Sequence, residues 1–272
     1  YLEADVELPE NTSVYDMVKL EDGTVRIALN DQDGRESVWN LKEDGTSWEK
    51  VYDMPEEWTM TDTFFVSHVT LSPKGDAFVV TSQVFEGEEE SQEHYYHLDG
   101  EGKATEVPLQ TENYVYFTDY TREGEFLVQC QHTPVSSVNM ETGEMTDKVS
   151  GTEDIRYFGV AANTLYAVDR DGQILLFDLH QPDVVEKDDG LSDSIAQSGA
   201  NTDLQSLQTK PLIFVEGKEE NEVFYCSNKG LYRHIRNGDV SELLIDGSLT
   251  SLGSPDVGLI TMETAENNEF YV

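Results

Sequence analysis

Short apolar segments alternate with polar turns along the chain, and the same order of elements returns about every fifty residues. Each unit begins with an apolar segment, continues through a turn that ends in Gly or Asn, and leads into a second apolar segment. The turn residues are, in chain order, Gly23, Gly75, Gly124, Asn163, Asn221 and Asn267. Short apolar runs between such turn residues predict buried β-strands.

The repeat predicts an all-β chain folded as a β-propeller, in which each unit is a blade of four antiparallel strands. Second strands buried on both faces are expected at 25–29, 77–80, 126–128, 165–168, 223–226 and 270–272. Amphipathic third strands are expected at 38–41, 95–98, 135–140, 174–177 and 231–234. Polar fourth strands, which discourage pairing at the blade edge, are expected at 48–52, 104–107, 145–149, 184–187 and 240–244.

Six blades are expected within one domain that spans the whole chain. Their approximate bounds are 11–54, 55–110, 111–150, 151–197, 198–247, and 248–272 together with 1–9. The sixth unit reaches only its second strand, so the alternating segment 2–8 is expected to close it as an outer strand. The strand still missing would come from residues beyond 272 in a longer parent protein.

Two segments depart from the repeat. Residues 85–93 form an acidic insert, which predicts a long solvated hairpin between the second and third strands of the second blade. Residues 188–210 are rich in Ser, Gln, Asp and Asn, and they are expected to link the fourth and fifth blades and to include a short helix at 191–197.

The charge of the chain limits its partners. Among 272 residues there are 55 acidic and 17 basic ones, for a formal net charge of -38. Such a charge repels nucleic acid and anionic membrane surfaces, and it keeps a protein soluble and monomeric. We therefore expect a monomer that binds no nucleic acid and whose partners are cations, basic surfaces or neutral polar ligands.

Both cysteines are expected to be buried free thiols. Cys130 and Cys226 end the same kind of apolar strand in blades that are two units apart. Strands placed in this way are too distant for a disulfide, and a buried thiol behaves as a small hydrophobic group.

No catalytic pattern emerges from the residues that could carry chemistry. His94 and His97 are the closest pair of histidines, but on a strand they point to opposite faces and cannot easily share a metal. The Asp-rich segments 30–34 and 169–172 lack further ligands of a calcium loop and predict hairpin turns. Motifs for acyl transfer and phosphate binding are missing. We therefore expect no enzymatic activity, no metal and no cofactor.

The segment 41–48 resembles the Asp-box hairpin of sialidase-like propellers through Gly45, Ser47 and Trp48, whereas Leu41 and Glu43 replace the Ser and Asp of that motif. In those proteins the box is a structural turn at the blade periphery. The resemblance therefore implies the fold and implies no sialidase activity.

A broader resemblance covers nearly the whole chain, through the segments 19–24, 163–168, 230–233, 244–249 and 251–253. These segments resemble the amino-terminal propeller region of extracellular solute-binding lipoproteins of gut Firmicutes. The resemblance implies a lipid-anchored amino terminus, this propeller, and then a family-one substrate-binding domain that serves an ABC importer, generally for carbohydrates. On this reading the chain is extracellular, and its ends are the borders of a module of a longer protein.

The preferred hypothesis is therefore a non-enzymatic propeller that recognises a glycan or a surface protein, or that acts as a scaffold. Its candidate binding residues lie in loops at the end of the blades where second-to-third and fourth-to-first connections meet: Trp58, Asn113, Tyr114, His132 and Arg170. The sequence favours packing between two blades as the role of Trp58 and, more strongly still, a core position for Tyr114. One alternative is a glycan hydrolase or lyase with two carboxylates in the central channel. Another is a protein-docking platform with an apolar face.

Overall fold

The protein is described by a computed structural model that covers residues 12–30, 33–42, 45, 47–85, 91–111, 113–200, 212–219, 221–227, 229–246, 263–264 and 270–271. These residues form five four-stranded antiparallel sheets, and in each sheet consecutive strands are neighbours. The strands of the first two sheets are β1 (Ser13–Lys19), β2 (Val25–Asn30), β3 (Glu36–Leu41), β4 (Trp48–Asp53), β5 (Phe64–Leu71), β6 (Ala77–Val84), β7 (Ser91–Leu98) and β8 (Ala104–Glu106).

The other three sheets have the same order of strands. Their strands are β9 (Val115–Tyr120), β10 (Phe126–Cys130), β11 (Val135–Val138), β12 (Met145–Val149), β13 (Tyr157–Ala161), β14 (Thr164–Val168), β15 (Ile174–Asp178), β16 (Val185–Lys187), β17 (Ile213–Glu216), β18 (Glu222–Ser227), β19 (Gly230–Ile235) and β20 (Glu242–Asp246). A separate strand pair contains β21 (Glu263–Thr264) and β22 (Phe270–Tyr271).

The prediction of six blades is wrong, because the described residues form five four-stranded sheets. The apolar segment at 270–272 does include a strand, β22, but in the described part of the chain its one partner is the two-residue strand β21. An apolar run indicates a strand, but it does not show whether three further strands pair with it to complete a blade. Counting the apolar runs therefore predicted one blade too many. The proposed closing strand at 2–8 lies outside the described residues.

Second strands are the most deeply buried elements, as predicted. Every residue of β10, β14 and β18 is buried, whereas every residue of the outer strand β16 is exposed. The hairpin of the second sheet extends further than expected, because β6 and β7 remain paired up to Val84 and Ser91. The insert is therefore strand at 91–93, and its residues 86–90 lie outside the described part of the chain.

The chain separates into two compact units. The first contains residues 1–109 and 140–143, and the second contains residues 110–139 and 144–272. Val38, Val66 and Val79 belong to the core of the first unit, and Leu127 and Phe214 belong to that of the second. Each core contains side chains from consecutive sheets, many of them aromatic or β-branched. Such side chains pack well on the surface of a β-sheet.

Neighbouring sheets are joined by hydrogen bonds between equivalent turns. The backbone N–H of Glu21, in the β1–β2 turn, donates to the carbonyl of Pro73 in the β5–β6 turn, at 3.1 Å. In the second unit the N–H of Arg122 donates to the carbonyl of Ala162 in the same way, at 3.4 Å. The turns that mark the sequence repeat thus also link one sheet to the next.

First strands of three sheets contain an extra residue at the same place, a β-bulge. In each of these sheets a turn glycine follows the extra residue by eight positions. The pairs of extra residue and glycine are Tyr15 and Gly23, Ser67 and Gly75, and Tyr116 and Gly124. A bulge bends its strand and redirects the side chains beside it. In the first unit the Tyr15 hydroxyl donates across to the carbonyl of Val66, 3.2 Å away, in the next sheet.

One α-helix, α1 (Asp189–Ser198), interrupts the described strands where the sequence predicts a helix. The carboxylate of Asp188 accepts the N–H of Leu191 and caps its amino terminus, and Gly199 ends it with φ of 71°. Leu191 and Ile195 are buried in the core of the second unit. Helix α1 is thus part of the core between the fourth and fifth sheets and not a peripheral loop.

Cys130 and Cys226 are free and buried, as predicted, and burial raises the pKa of the Cys226 thiol. Because only the thiolate is reactive, both side chains are expected to resist a thiol reagent in the folded protein and to react in denaturant. Absorbance with Ellman's reagent measures both states. A thiol that reacts at once without denaturant would contradict the packing of its strand.

Candidate functional site

The connecting loops of the third and fourth sheets form the candidate site. In a four-stranded meander the second-to-third loop and the fourth-to-first connection lie at the same end of the sheet. At this end the second unit presents residues 113–114, 131–134, 150–156 and 169–173, which we call the loop cluster. The loop cluster contains four of the five residues that the sequence singles out.

Asn113, Tyr114 and His132 come together in the third sheet. The backbone N–H of Gln131 donates to the carbonyl of Tyr114 at 3.0 Å, so the connection before β9 lies against the β10–β11 loop. Tyr114 is 44% exposed, and Asn113 and His132 are also exposed. An aromatic ring, an amide and an imidazole are therefore presented to solvent by two adjoining loops.

The backbone around Asn113 is held in place locally. Its N–H donates to the hydroxyl oxygen of Thr111 at 3.0 Å, and that hydroxyl lies 3.0 Å from the Asn113 carbonyl, to which it donates. The Asn113 side chain is left to face solvent while its backbone is fixed. This arrangement suits a polar recognition group, because little backbone freedom remains to be lost on binding.

His132 occupies a conformation that few residues favour. Its φ is 58°, in the left-handed region, within the turn from Cys130 to Thr133. The Thr133 N–H and hydroxyl both donate to the Cys130 carbonyl, at 3.1 Å and 3.0 Å, and hold this turn closed. A left-handed residue with a side chain costs about 1–2 kcal/mol, a cost that glycine would avoid.

Thr152 anchors the connection between the third and fourth sheets to the strands of the third sheet. The Gln129 side-chain nitrogen donates to the Thr152 carbonyl at 3.0 Å, and the Val135 N–H donates to the Thr152 hydroxyl oxygen at 2.8 Å. Thr152 is fully buried, so these bonds are shielded from water. The oxygen of the Gln129 amide is buried beside them with no hydrogen-bond partner in the described part of the protein.

Arg170 lies in the β14–β15 loop at the same end of the fourth sheet. Its guanidinium forms an ion pair with Asp154, and both side chains are largely exposed. The Arg156 guanidinium donates to the Arg170 carbonyl, which joins this loop to the connection that precedes β13. An exposed ion pair of this kind contributes little stability.

Trp58 is separate from these residues. It lies in the first unit, in a single 3-10 turn from Glu56 to Trp58, and only 4% of it is exposed. Its ring centroid is 4.7 Å from that of Tyr96, in the core of that unit. The geometry is that of a packing residue, and a ring that stacks on a ligand would have to be accessible.

Comparison with known proteins finds relatives by structure alone. No protein-family model matches the chain, and no curated protein matches its sequence. A gluconolactonase from Xanthomonas campestris superposes with a TM-score of 0.52 at 11% identity, over 94% of this chain and 80% of its own. A Bacteroides caccae protein of unknown function also superposes with a TM-score of 0.52 at 11% identity, over 93% of this chain and 87% of its own. The chain is a β-propeller.

A third neighbour is TolB from Acinetobacter baumannii, with a TM-score of 0.50 at 10% identity. The alignment covers 86% of this chain but only 54% of TolB, so the chain spans about half the length of that neighbour. Because the neighbours share so little sequence with this chain, they establish the propeller fold and not an activity. In the described residues no helix is long and apolar enough to cross a membrane.

First strands of the propeller carry carboxylates that bind the backbone of the next blade. The Asp16 carboxylate accepts the N–H of Leu71 at 2.8 Å in the first unit, and that of Asp119 accepts the N–H of Val160 at 2.9 Å in the second. Here both hold neighbouring blades together.

The Asp-rich segment at 169–172 is a hairpin turn, as predicted. The Asp169 carboxylate accepts the backbone N–H groups of Asp171 and Gln173, at 2.8 Å and 2.9 Å. Its oxygen is thereby used to shape the turn. Within the described ranges no three His, Cys, Asp or Glu side chains are grouped as metal ligands.

A buried polar chain that the sequence analysis missed connects α1 to the fifth blade. The Asp188 carboxylate accepts from Nε2 of His234 at 3.1 Å and from the N–H of Asn237 at 2.9 Å, besides capping α1 at Leu191. Nδ1 of His234 is 3.1 Å from the hydroxyl of Ser241. Asp before a predicted helix is a capping signal, but nothing local marks its partner in the fifth blade.

Burial and hydrogen bonding act in opposite directions on Asp188. Desolvation raises the pKa of this carboxyl, but the hydrogen bonds from His234 and from the N–H groups of Asn237 and Leu191 outweigh it and lower the pKa below its usual value. Because the His234 and Asp188 side chains are at most 1% exposed, a substrate could not reach this Ser-His-Asp chain. We assign it to the support of α1.

Proposed function

We propose that this propeller is a non-enzymatic recognition module that binds a glycan through the loop cluster. The observation that carries the proposal is the exposed ring of Tyr114, on a loop that a backbone hydrogen bond joins to the loop of His132. Sugars are bound by aromatic faces together with a few fixed polar groups. Asn113 and His132 supply both donors and acceptors next to the ring.

The conformation of His132 supports the same proposal. A side chain in the left-handed region costs stability that glycine would restore, and we take the exposed imidazole at this position as support for a role in binding. Ala162, Asn221 and Asn237 also have positive φ in turns; Asn tolerates this region well, and the methyl group of Ala162 offers no polar group to a ligand. His132 is the exposed imidazole beside Tyr114.

The wider setting rests on the resemblance to solute-binding lipoproteins. We propose that the propeller is an extracellular, lipid-anchored module of such a protein and that its parent chain also contains a substrate-binding domain for carbohydrate import. The loop cluster would then recruit glycans near the importer. A propeller without glycan affinity would instead serve that protein as a scaffold.

The proposal is tested with a glycan array, followed by titration calorimetry on the sugars that bind. Tyr114→Ala is expected to weaken binding at least about tenfold, which corresponds to about 1.4 kcal/mol, because the stacking surface is lost. Phe85→Ala is the matched control, since Phe85 is 40% exposed but lies in the other unit. An equal loss of glycan affinity in both variants would contradict the proposal, and so would an array on which no glycan binds.

His132→Gly separates binding from folding. We expect its free energy of unfolding to stay within about 1 kcal/mol of the parent value or to rise, because glycine adopts positive φ without strain. Glycan affinity is nevertheless expected to fall at least about fivefold, or about 1 kcal/mol. Thermal unfolding and calorimetry measure the two effects. Unchanged affinity in a stable His132→Gly protein would remove His132 from the site.

A further inference from the structure

The charges around the loop cluster restrict which glycans it can accept. The loop cluster contains four carboxylates and two guanidinium groups: Glu153, Asp154, Asp169 and Asp171, and Arg156 and Arg170. Glu153 and Asp171 are exposed. The surroundings of the site are thus locally acidic, within a chain whose net charge is -38.

Both guanidinium groups of the loop cluster already have partners. Arg170 is paired with Asp154, and Arg156 donates to the carbonyl of Arg170. Because Asp154 already compensates the charge of Arg170, a carboxylate or sulfate on a sugar would gain less attraction from this guanidinium than from an unpaired one. At the same time it would approach the exposed carboxylates of Glu153 and Asp171. Like charges placed together in this way disfavour binding and thereby create specificity.

We propose that the loop cluster selects neutral and amino-bearing saccharides and rejects uronic, sialylated and sulfated ones. This inference rests on the proposed glycan recognition and adds the chemical class of the ligand. Neutral sugars meet no charge barrier, since Tyr114, Asn113 and His132 offer a stacking face and polar groups. A protonated amino sugar gains attraction from Glu153 and Asp171, whereas an acidic sugar meets repulsion from the same carboxylates.

The test compares sugars that share a skeleton and differ in charge. Cellotetraose, a β-1,4-linked glucosamine tetramer and a β-1,4-linked glucuronate tetramer form one set, and lactose and sialyllactose form a second. Array binding is followed by calorimetry at about 20 mM and about 500 mM NaCl, because salt shortens the reach of charge interactions severalfold over this range. The intact 272-residue chain is used throughout.

At low salt the acidic member of each set is expected to bind at least about tenfold more weakly than its neutral counterpart, and the glucosamine tetramer is expected to bind more tightly. Both of these differences in affinity should shrink at high salt, whereas the affinity for neutral sugars should change little. In a Glu153→Gln, Asp171→Asn double variant, the difference in affinity between neutral and acidic sugars should be smaller. Circular dichroism checks that this variant is folded.

The outcomes separate this inference from the proposed function. If neutral sugars bind and acidic ones bind equally well at low salt, the charge selection is wrong while glycan recognition stands. If selection persists unchanged at high salt, its cause is steric and the electrostatic proposal is overturned. If no sugar of any charge binds, the proposed function fails and this inference fails with it.

Discussion

Replacement of Asp188 by alanine is expected to lower the free energy of unfolding by about 3–5 kcal/mol. The carboxylate, which is only 1% exposed, caps α1 at Leu191 and accepts from Asn237 and His234. Loss of the cap alone costs about 1 kcal/mol, and the donors left buried without an acceptor account for the rest. Chemical denaturation followed by circular dichroism measures the change.

The pH dependence of this effect has a definite sign. Because the folded-state pKa of Asp188 lies below its unfolded value, ionisation of this group stabilises the fold above the unfolded pKa, near 4. That contribution is lost as the pH falls through the folded-state pKa. The stability difference between the parent protein and Asp188→Asn should therefore be full at pH 7 and shrink in strong acid. A difference that grows below pH 4 would contradict the assignment.

Asp193→Ala is a suitable control for Asp188→Ala. Asp193 is an exposed residue of the same helix, and its removal is expected to change stability by less than about 0.5 kcal/mol. Asp188→Asn should be less damaging than Asp188→Ala, since an amide oxygen can still cap Leu191. Equal losses for alanine at both positions would show that helix propensity, and not the buried chain to His234, governs the result.

Replacement of Arg233 by alanine is expected to cost about 3 kcal/mol. Its Nε donates to the Glu222 carboxylate at 2.5 Å, and the Glu222 side chain is only 1% exposed. The remaining partners, Glu219 and Glu242, are exposed and contribute little. Without Arg233 the buried carboxylate loses its compensating charge, which is the reason for the large effect.

A double-mutant cycle isolates this interaction. Arg233→Ala combined with Glu222→Gln should be more stable than Arg233→Ala alone, because a neutral amide replaces the uncompensated carboxylate. Arg170→Ala is the control, since its partner Asp154 is exposed and the expected loss is at most about 1 kcal/mol. If Arg233→Ala and Arg170→Ala lower the free energy of unfolding by the same amount, the burial of Glu222 does not increase the stability that its ion pair provides.

Several details of the fold could be predicted because their signals are local. Asp169 is followed by Gly172, and it forms the turn that this spacing indicates. Cys130 and Cys226 sit in runs of apolar residues, and both are buried free thiols. The helix predicted at 191–197 is observed at Asp189–Ser198. In each case residues within about ten positions decide the outcome.

The candidate site could be predicted only in part. Asn113, Tyr114, His132 and Arg170 lie in loops at one end of neighbouring blades, because strand order determines which loops share an end. Loop position could not tell that Trp58 is buried against Tyr96, since the sequence does not show what covers a side chain. The number of blades was overestimated for a related reason: the apolar run at 270–272 resembles a second strand, but within the described residues it pairs with β21 alone.

The sequence by itself determined the order of strands, turns and helix, the buried second strands and the strong negative charge, because each follows from local pattern or from composition. Only the tertiary structure decided the partners of buried polar groups. Asp188 meets His234 and Asn237 more than forty residues away, and Gln129 meets Thr152 across a blade. Such contacts depend on how whole sheets pack, and packing brings together residues whose separation along the chain carries no information about their distance in space.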